Sequence, residues 1–246
     1  MPLTFAHPAA VVAGYRWNRR GLPFPALVIG SMSPDVEYFL RLQPTGHFAH
    51  SLPGIVFFCI PAGLALWCLY TFIISPALPD CLPAYVQRRW PIQPTEQNPK
   101  GLRHVGALIL AVILGALTHI IWDSFTHGTG LVVSHVPFLQ SETLGLPRYK
   151  LLQHGSTLIG FLIILGWIHR LPTQPTCTPV QTPWPVYGWL AGVFLLALGL
   201  LALLFPPHSP GRLVVEIIDA SFLALLVSCC YYRHDKETVK TPEPGV

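Results

Sequence analysis

Residues 102–122 read LRHVGALILAVILGALTHIIW. Arg103 is the only Lys, Arg, Asp or Glu in that stretch. A helix needs about 20 mostly apolar residues to cross a bilayer, and this run has that length. In hydrocarbon a chain must satisfy its own backbone polar groups, so such a run is read as a helix. Its last turn then changes character: Thr118-His119-Ile120-Ile121-Trp122-Asp123 puts an imidazole and a carboxylate four residues apart on one helical face.

Four more segments have the same reading, at 52–78, 151–167, 186–205 and 213–231. Trp122, Trp167, Trp184, Tyr187, Tyr231 and Tyr232 lie at their ends, where amphipathic rings favour the membrane interface. Charged residues make up only 11% of the 246, against roughly 25% in soluble domains. The expected fold is therefore all-α: a polytopic helical membrane bundle of about five transmembrane helices. A single domain is expected over 1–232, with a short N-terminal helical subdomain at 1–51 carrying site residues. Residues 233–246 read as a polar, disordered tail.

The net charge of +4 is spread along the chain, so no nucleic-acid footprint is visible. The N-terminus lacks the basic start and apolar core of a signal peptide. Cys59, Cys68, Cys229 and Cys230 sit in apolar segments and are expected to pack as small hydrophobes. Cys81 and Cys177 lie in loops, and no CxxC occurs. There is no GxSxG, glycine-rich phosphate loop or dinucleotide fingerprint.

Ahead of the first span, His7-Pro8 opens a short helical pattern through Ala9, Val12 and Tyr15. Residues 23–32 are apolar but too short to span, which suits a buried or re-entrant helix. Ser33-Pro34-Asp35 then turns into a helix over 36–42. Stretches 80–98 and 173–183 are rich in proline and polar residues and read as extramembrane loops.

On a five-span topology, His7, Asp35, His47, His50, His119, Asp123, His127 and His154 all come to the same face. A neutral imidazole and a carboxylate at i, i+4 can grip one metal ion, as paired histidines do in helical zinc motifs. An interfacial His–Asp pair is the plain alternative. His50 is nearer the apolar run than His47 and is the preferred ligand of that pair. Asp35 follows an apolar run, where a carboxylate is costly unless it is paired, bound to a cation or used as a helix cap. Candidate metal ligands are therefore His7, Asp35, His50, His119, Asp123, His127 and His154. Asp35 and Asp123 are also candidates to bridge metals or orient a water. The donor set suits zinc, or else manganese or iron, as one or more ions. Glu216 and Asp219 lie inside the fifth span and could join the site, support it or pair with Arg212. His104, His135, His169, His208 and His234 have no partner pattern. Basic residues divide almost evenly between the two faces, so the positive-inside rule sets no orientation.

Several stretches carry a resemblance: Pro2 to Ala10, Gly30-Ser31-Met32-Ser33-Pro34-Asp35, Gly46-His47-Phe48-Ala49-His50-Ser51, Gly115 through His127, and Tyr149 to Ser156. Together they resemble a family of uncharacterised bacterial membrane proteins catalogued as a domain of unknown function. The pattern is also similar to the membrane-bound metal-dependent hydrolases of the bacterial inner membrane. Those carry an N-terminal His, a Pro-Asp step, an H-x-x-H-S step before a span and a later HxxxD. More faintly, the ligand order resembles that of zinc-dependent phospholipase C and related single-strand nucleases. The chain departs from those at their final HxxxE, where His154 is followed by Leu158. The resemblance implies a hydrolase in the bacterial inner membrane, with the lipid bilayer as its surroundings and a phosphoester or lipid headgroup as substrate. The alternative is a non-enzymatic membrane protein with a structural metal site, a polar network or a metal or proton pathway.

Overall fold

A computed structural model describes residues 3–89, 101–173, 184–206 and 209–240. Of the expected loops at 80–98 and 173–183, residues 90–98 and 174–183, including Cys177, lie outside the described residues, as does His208; in the described part of the first, a helix runs on to Cys81 and a short one forms over Ala84–Gln87. The chain is all-helical apart from one small hairpin pairing Glu142–Thr143 with Leu146–Pro147. Its turn places Leu144 and Gly145 at positive φ, 57° and 75°, the pattern of a tight type I′ hairpin turn. Five helices are long and apolar enough to cross a membrane: Leu52–Pro79, Leu102–His135, Arg148–Arg170, Val186–Leu204 and Pro210–Tyr231. The second ends its continuous α-helix at Thr126 and resumes at Leu131.

Many large apolar side chains point outward from these helices. Leu158, Leu162 and Leu165 of the third span are exposed, as are Leu195, Leu196 and Leu203 of the fourth. Contiguous leucine on an outer surface is a liability in water and is the expected covering of a helix in lipid.

By its internal contacts the chain forms two compact units. One comprises Met1–Glu37, Gly46–Trp67 and Gln93–Arg170; the other comprises Tyr38–Thr45, Cys68–Ile92 and Leu171–Val246. The sequence reads as one membrane domain, since hydropathy alone does not report which helices pack together.

In the first unit, the N-terminal segment Thr4–Arg20 winds as a 3₁₀ helix. Thr4, His7, Val11, Gly14 and Asn18 form its buried stripe. It stops at Gly21, whose φ of 87° supplies the left-handed cap. The short apolar run forms the helix Phe24–Met32, with Ala26, Leu27, Ile29, Gly30 and Ser31 buried. This helix crosses the second span at very close range. A side chain at Gly30 would strike the backbone of Val112, and one at Gly115 would strike the backbone of Leu27 and Ser31. Small residues are what allow two helices to approach backbone to backbone. Val11, Ala26, Leu27, Leu108, Ala111 and Val112 fill the core on one side of that crossing. Ala49, Ile55, Cys59 and Ala116 form a second cluster.

The first span is not a uniform α-helix. It widens to π-helical turns at Ile55–Cys59 and Tyr70–Ile74. Pro61 and Pro76 each follow two residues later. Proline removes an N–H and crowds the carbonyl four residues back, so a wider preceding turn relieves the clash.

In the second unit, Ile74, Ala77 and Cys229 form the buried cluster. The last helix runs Pro210–Lys240. The stretch from 233 is thus helical as far as Lys240 rather than an unstructured tail throughout. Continuing an existing helix adds one hydrogen bond per residue without a new nucleus, so polar composition did not end it.

Candidate metal centre

Four chain segments of the first unit deliver the polar cluster. The N-terminal 3₁₀ helix brings His7, the turn Ser33–Asp35 brings Asp35, the residue before Ser51 is His50, and the second span brings His119, Asp123 and His127. His7, Asp35 and His119 are almost wholly buried, at 1%, 1% and 0% exposed.

The Asp35, His50, His119 and Asp123 side chains offer ligand atoms that all lie within 4.8 Å of one another. His119 Nε2 is 3.4 Å from Asp35 Oδ1 and 3.2 Å from Asp123 Oδ2. His50 Nε2 is 3.4 Å from Asp35 Oδ1 and 3.7 Å from Asp123 Oδ2. Zinc bonds of about 2.0–2.1 Å in a tetrahedron would set ligand atoms roughly 3.3–3.4 Å apart. These four of the six edges, from 3.2 to 3.7 Å, bracket that value.

The tautomer of His119 sharpens this. Its Nδ1 lies 2.7 Å from the Ser31 carbonyl oxygen. A carbonyl only accepts, so Nδ1 carries the proton. In the neutral ring Nε2 then presents a lone pair, facing two carboxylate oxygens. Nε2 and Asp35 Oδ1 are thus joined either by a second proton on the ring or by a bound cation. Lone pairs converging on one point in a buried site repel unless a cation lies between them. A backbone carbonyl that fixes the far nitrogen of a ligating imidazole is the usual supporting contact of a metal site.

Asp35 is held from its other side by Thr4, whose hydroxyl donates to Oδ2 at 2.6 Å. Burial pushes the Asp35 carboxyl up, but positive charge on His119, with hydrogen bonding from His119 and His50, outweighs it and holds the group well below the usual carboxylate range. His7 is pushed down to about 3, first by burial and then by its neighbour His119. Its imidazole is therefore neutral at physiological pH, the form that binds metal.

Glu37 organises the loop that carries His50. Its Oε2 accepts the Ala49 N–H at 2.9 Å. Gly46 sits so close that a Cβ there would be 2.7 Å from the Glu37 carboxyl carbon. Ser51 then caps the first span, accepting the Gly54 N–H at 3.1 Å.

Of the residues singled out from sequence, the structure brings together His7, Asp35, His50, His119, Asp123 and His127. His47 and His154 are exposed and belong to none of the ion pairs found among the described residues. In the second unit Glu216 accepts from Arg212 Nε at 3.1 Å. Thr4, Ser31 and Glu37 escaped the sequence reading. Thr4 lies on the buried stripe of His7, and Glu37 is a rare charge beside an apolar run, so both left a faint signal. Ser31 acts through its carbonyl, which leaves none.

Beside the cluster lies a shallow apolar groove of about 500 Å³, lined in part by Ala10, Ile121, Trp122, Phe125 and Leu152. Trp122 also packs its ring edge-on against His7, with centroids 5.4 Å apart.

A family model described as a domain of unknown function, DUF4184, matches residues 1–230, and the chain belongs to that family. No curated protein and no solved structure gives a significant match.

Proposed function

We propose that this DUF4184 protein is an integral membrane metal-dependent hydrolase of the bacterial inner membrane, acting on a phosphoester in a lipid headgroup. The observation that carries the metal centre is His119: its Nδ1 proton is committed to Ser31, and its Nε2 faces the carboxylates of Asp35 and Asp123. Asp35, His50, His119 and Asp123 would hold the ion, zinc or manganese by the chemistry of the donors. When bound, such an ion lowers the pKa of a coordinated water to near 7 and polarises a phosphoryl oxygen.

The chain's own residues support the rest. Thr4 and Ser31 hold Asp35 and His119 in position through their free faces. Asp35 or Asp123 would, besides holding the ion, orient its water. The apolar groove next to Trp122 suits an acyl chain, and Trp122 itself packs against His7 of the cluster.

A second reading is a structural metal site without catalysis. It is favoured by the number of donors, because four protein ligands fill a tetrahedron and catalytic zinc sites keep a position for water.

The test begins with metal content. The protein is purified in mild detergent, and bound zinc, manganese and iron are measured by elemental mass spectrometry. Wild type is expected to hold at least one equivalent, and His119→Ala and Asp123→Ala, verified as folded, to lose it. Loaded protein is then offered phosphoesters with and without acyl chains. Turnover preferring the acylated substrate supports the hydrolase; bound metal with no turnover favours the structural site. A wild type that neither retains nor takes up metal ends both readings.

A further inference from the structure

Resting on the metal centre proposed above, we infer a second cation position beside it, held by His7, His127 and the remaining oxygen of Asp123. Asp123 then bridges two ions. The position with fewer protein donors is the one left open to water.

The geometry starts from the two oxygens of Asp123. Oδ2 faces His119 and His50, at 3.2 and 3.7 Å. Oδ1 faces the other way, toward His7 Nε2 at 3.6 Å and His127 Nδ1 at 3.4 Å. His127 Nδ1 also lies 3.3 Å from the Asp123 carbonyl oxygen and 3.3 Å from Thr126 Oγ1, so it is a donor to the second ion in the tautomer that carries its proton on Nε2, with the Thr126 hydroxyl rather than the carbonyl as its neighbour. One carboxylate thus meets two separate sets of imidazoles, one set on each oxygen.

The rings of His7 and His119 reinforce the division. They stack with centroids 3.7 Å apart and planes 19° from parallel. Each turns its Nε2 toward a different oxygen of the same carboxylate. Two ions taken up by side-by-side imidazoles would be separated by about the stacking distance. Working two-metal sites place their ions about 3.5–4 Å apart.

An independent sign comes from His7 itself. It is 1% exposed, yet neither ring nitrogen has a hydrogen-bond partner. A buried imidazole with both nitrogens unsatisfied is an unusual cost, relieved if Nε2 binds a cation. Asp123 Oδ1, the oxygen that faces His7 Nε2, is likewise buried without a hydrogen bond. The edge of Trp122 fixes the His7 ring in this orientation.

The two positions differ in openness. Asp35, His50, His119 and Asp123 supply four donors to the first, enough to fill a tetrahedron. His7, His127 and Asp123 supply three to the second. Three protein donors and an open position are the mark of a site that binds water for reaction. A four-donor set at one ion is thereby compatible with hydrolysis, because the water belongs to its neighbour.

Manganese(II) is the probe. The metal-free protein in detergent is loaded with it, and binding is read by elemental analysis and electron paramagnetic resonance. The expected result is two ions per chain with an exchange-coupled spectrum. His7→Ala and His127→Ala should each drop to one ion and show an uncoupled six-line signal. If His7→Ala fails to fold, His127→Ala and the wild-type coupling still decide. One ion per chain in wild type, unchanged in the variants, overturns the second position and leaves the four-donor centre standing. Two uncoupled ions insensitive to His7 and His127 overturn it as well. No bound manganese, with none of zinc either, removes the first centre and the second with it.

Discussion

Each of the two compact units buries a carboxylate completely, and the two are neutralised in opposite ways. In the second unit Glu216, 0% exposed, is met by Arg212 one helical turn earlier on the same helix. In the first unit Asp35, 1% exposed, is met by Thr4, His50 and His119, residues from three other segments. The Arg212–Glu216 pair is local, complete in charge and formed as soon as its helix forms. The Asp35 cluster exists only after four segments have come together, and it leaves several nitrogens and oxygens unmet, against Glu216 Oε2 alone in the pair. A self-contained pair maintains a helix in an apolar setting. An incomplete cluster assembled from distant segments is costly unless something else binds, which is why the first is read as structural and the second as functional.

The largest expected effect attacks the local pair. Arg212→Ala leaves the Glu216 carboxylate buried without its counter-charge, and losing one partner of a buried pair costs about 3–5 kcal/mol. Thermal unfolding in detergent should fall accordingly, equally with and without added metal. The double variant Arg212→Ala/Glu216→Leu should recover most of the loss, because no charge is then stranded. If the single variant unfolds like wild type, the comparison fails at its simpler end, and Glu216 has some other partner.

The next effect sharpens the other end. Thr4→Val removes the hydroxyl that donates to Asp35 Oδ2 while nearly keeping its volume. Loss of such a supporting contact typically weakens metal binding 10–100-fold. The expected outcome is weaker zinc or manganese binding by competition with a chelator, with the metal-free protein little changed. Glu37→Gln should behave similarly but less strongly, since an amide oxygen can still accept the Ala49 N–H. Equal affinity in wild type and Thr4→Val would mean that Asp35 is not a ligand.

The same contrast explains what could be read before any coordinates. The five spans were legible because hydropathy is a property of each segment alone, and all five expected segments fall on helices of the right length. The small helix over 24–32 was legible for the same reason. His50 was separable from His47 by distance to the apolar run, and it is His50 that faces Asp35. What stayed hidden depends on pairing across the chain. The Ser31 carbonyl that fixes His119 is backbone, and it arrives there only because Gly30 and Gly115 let two helices touch. The two-sided use of Asp123 needs the orientation of a side chain, which spacing does not give. The hairpin at 142–147 turns on Leu144 at positive φ, a conformation that leucine does not advertise.

The smallest expected effect tests the boundary of the cluster. His154 begins the third span on a face that the sequence groups with the other histidines, yet it is exposed, and Gln153 beside it is buried instead. A helix turns about 100° per residue, so Gln153 rather than His154 points inward. Its amide cannot replace an imidazole in an HxxxE pattern, and Leu158 already removes the carboxylate. His154→Ala should therefore leave metal stoichiometry and affinity unchanged and shift stability by no more than about 0.5 kcal/mol. His47→Ala should match it. A loss of one ion in His154→Ala would extend the cluster across to the third span and make the site larger than Asp123 and the five residues gathered around it.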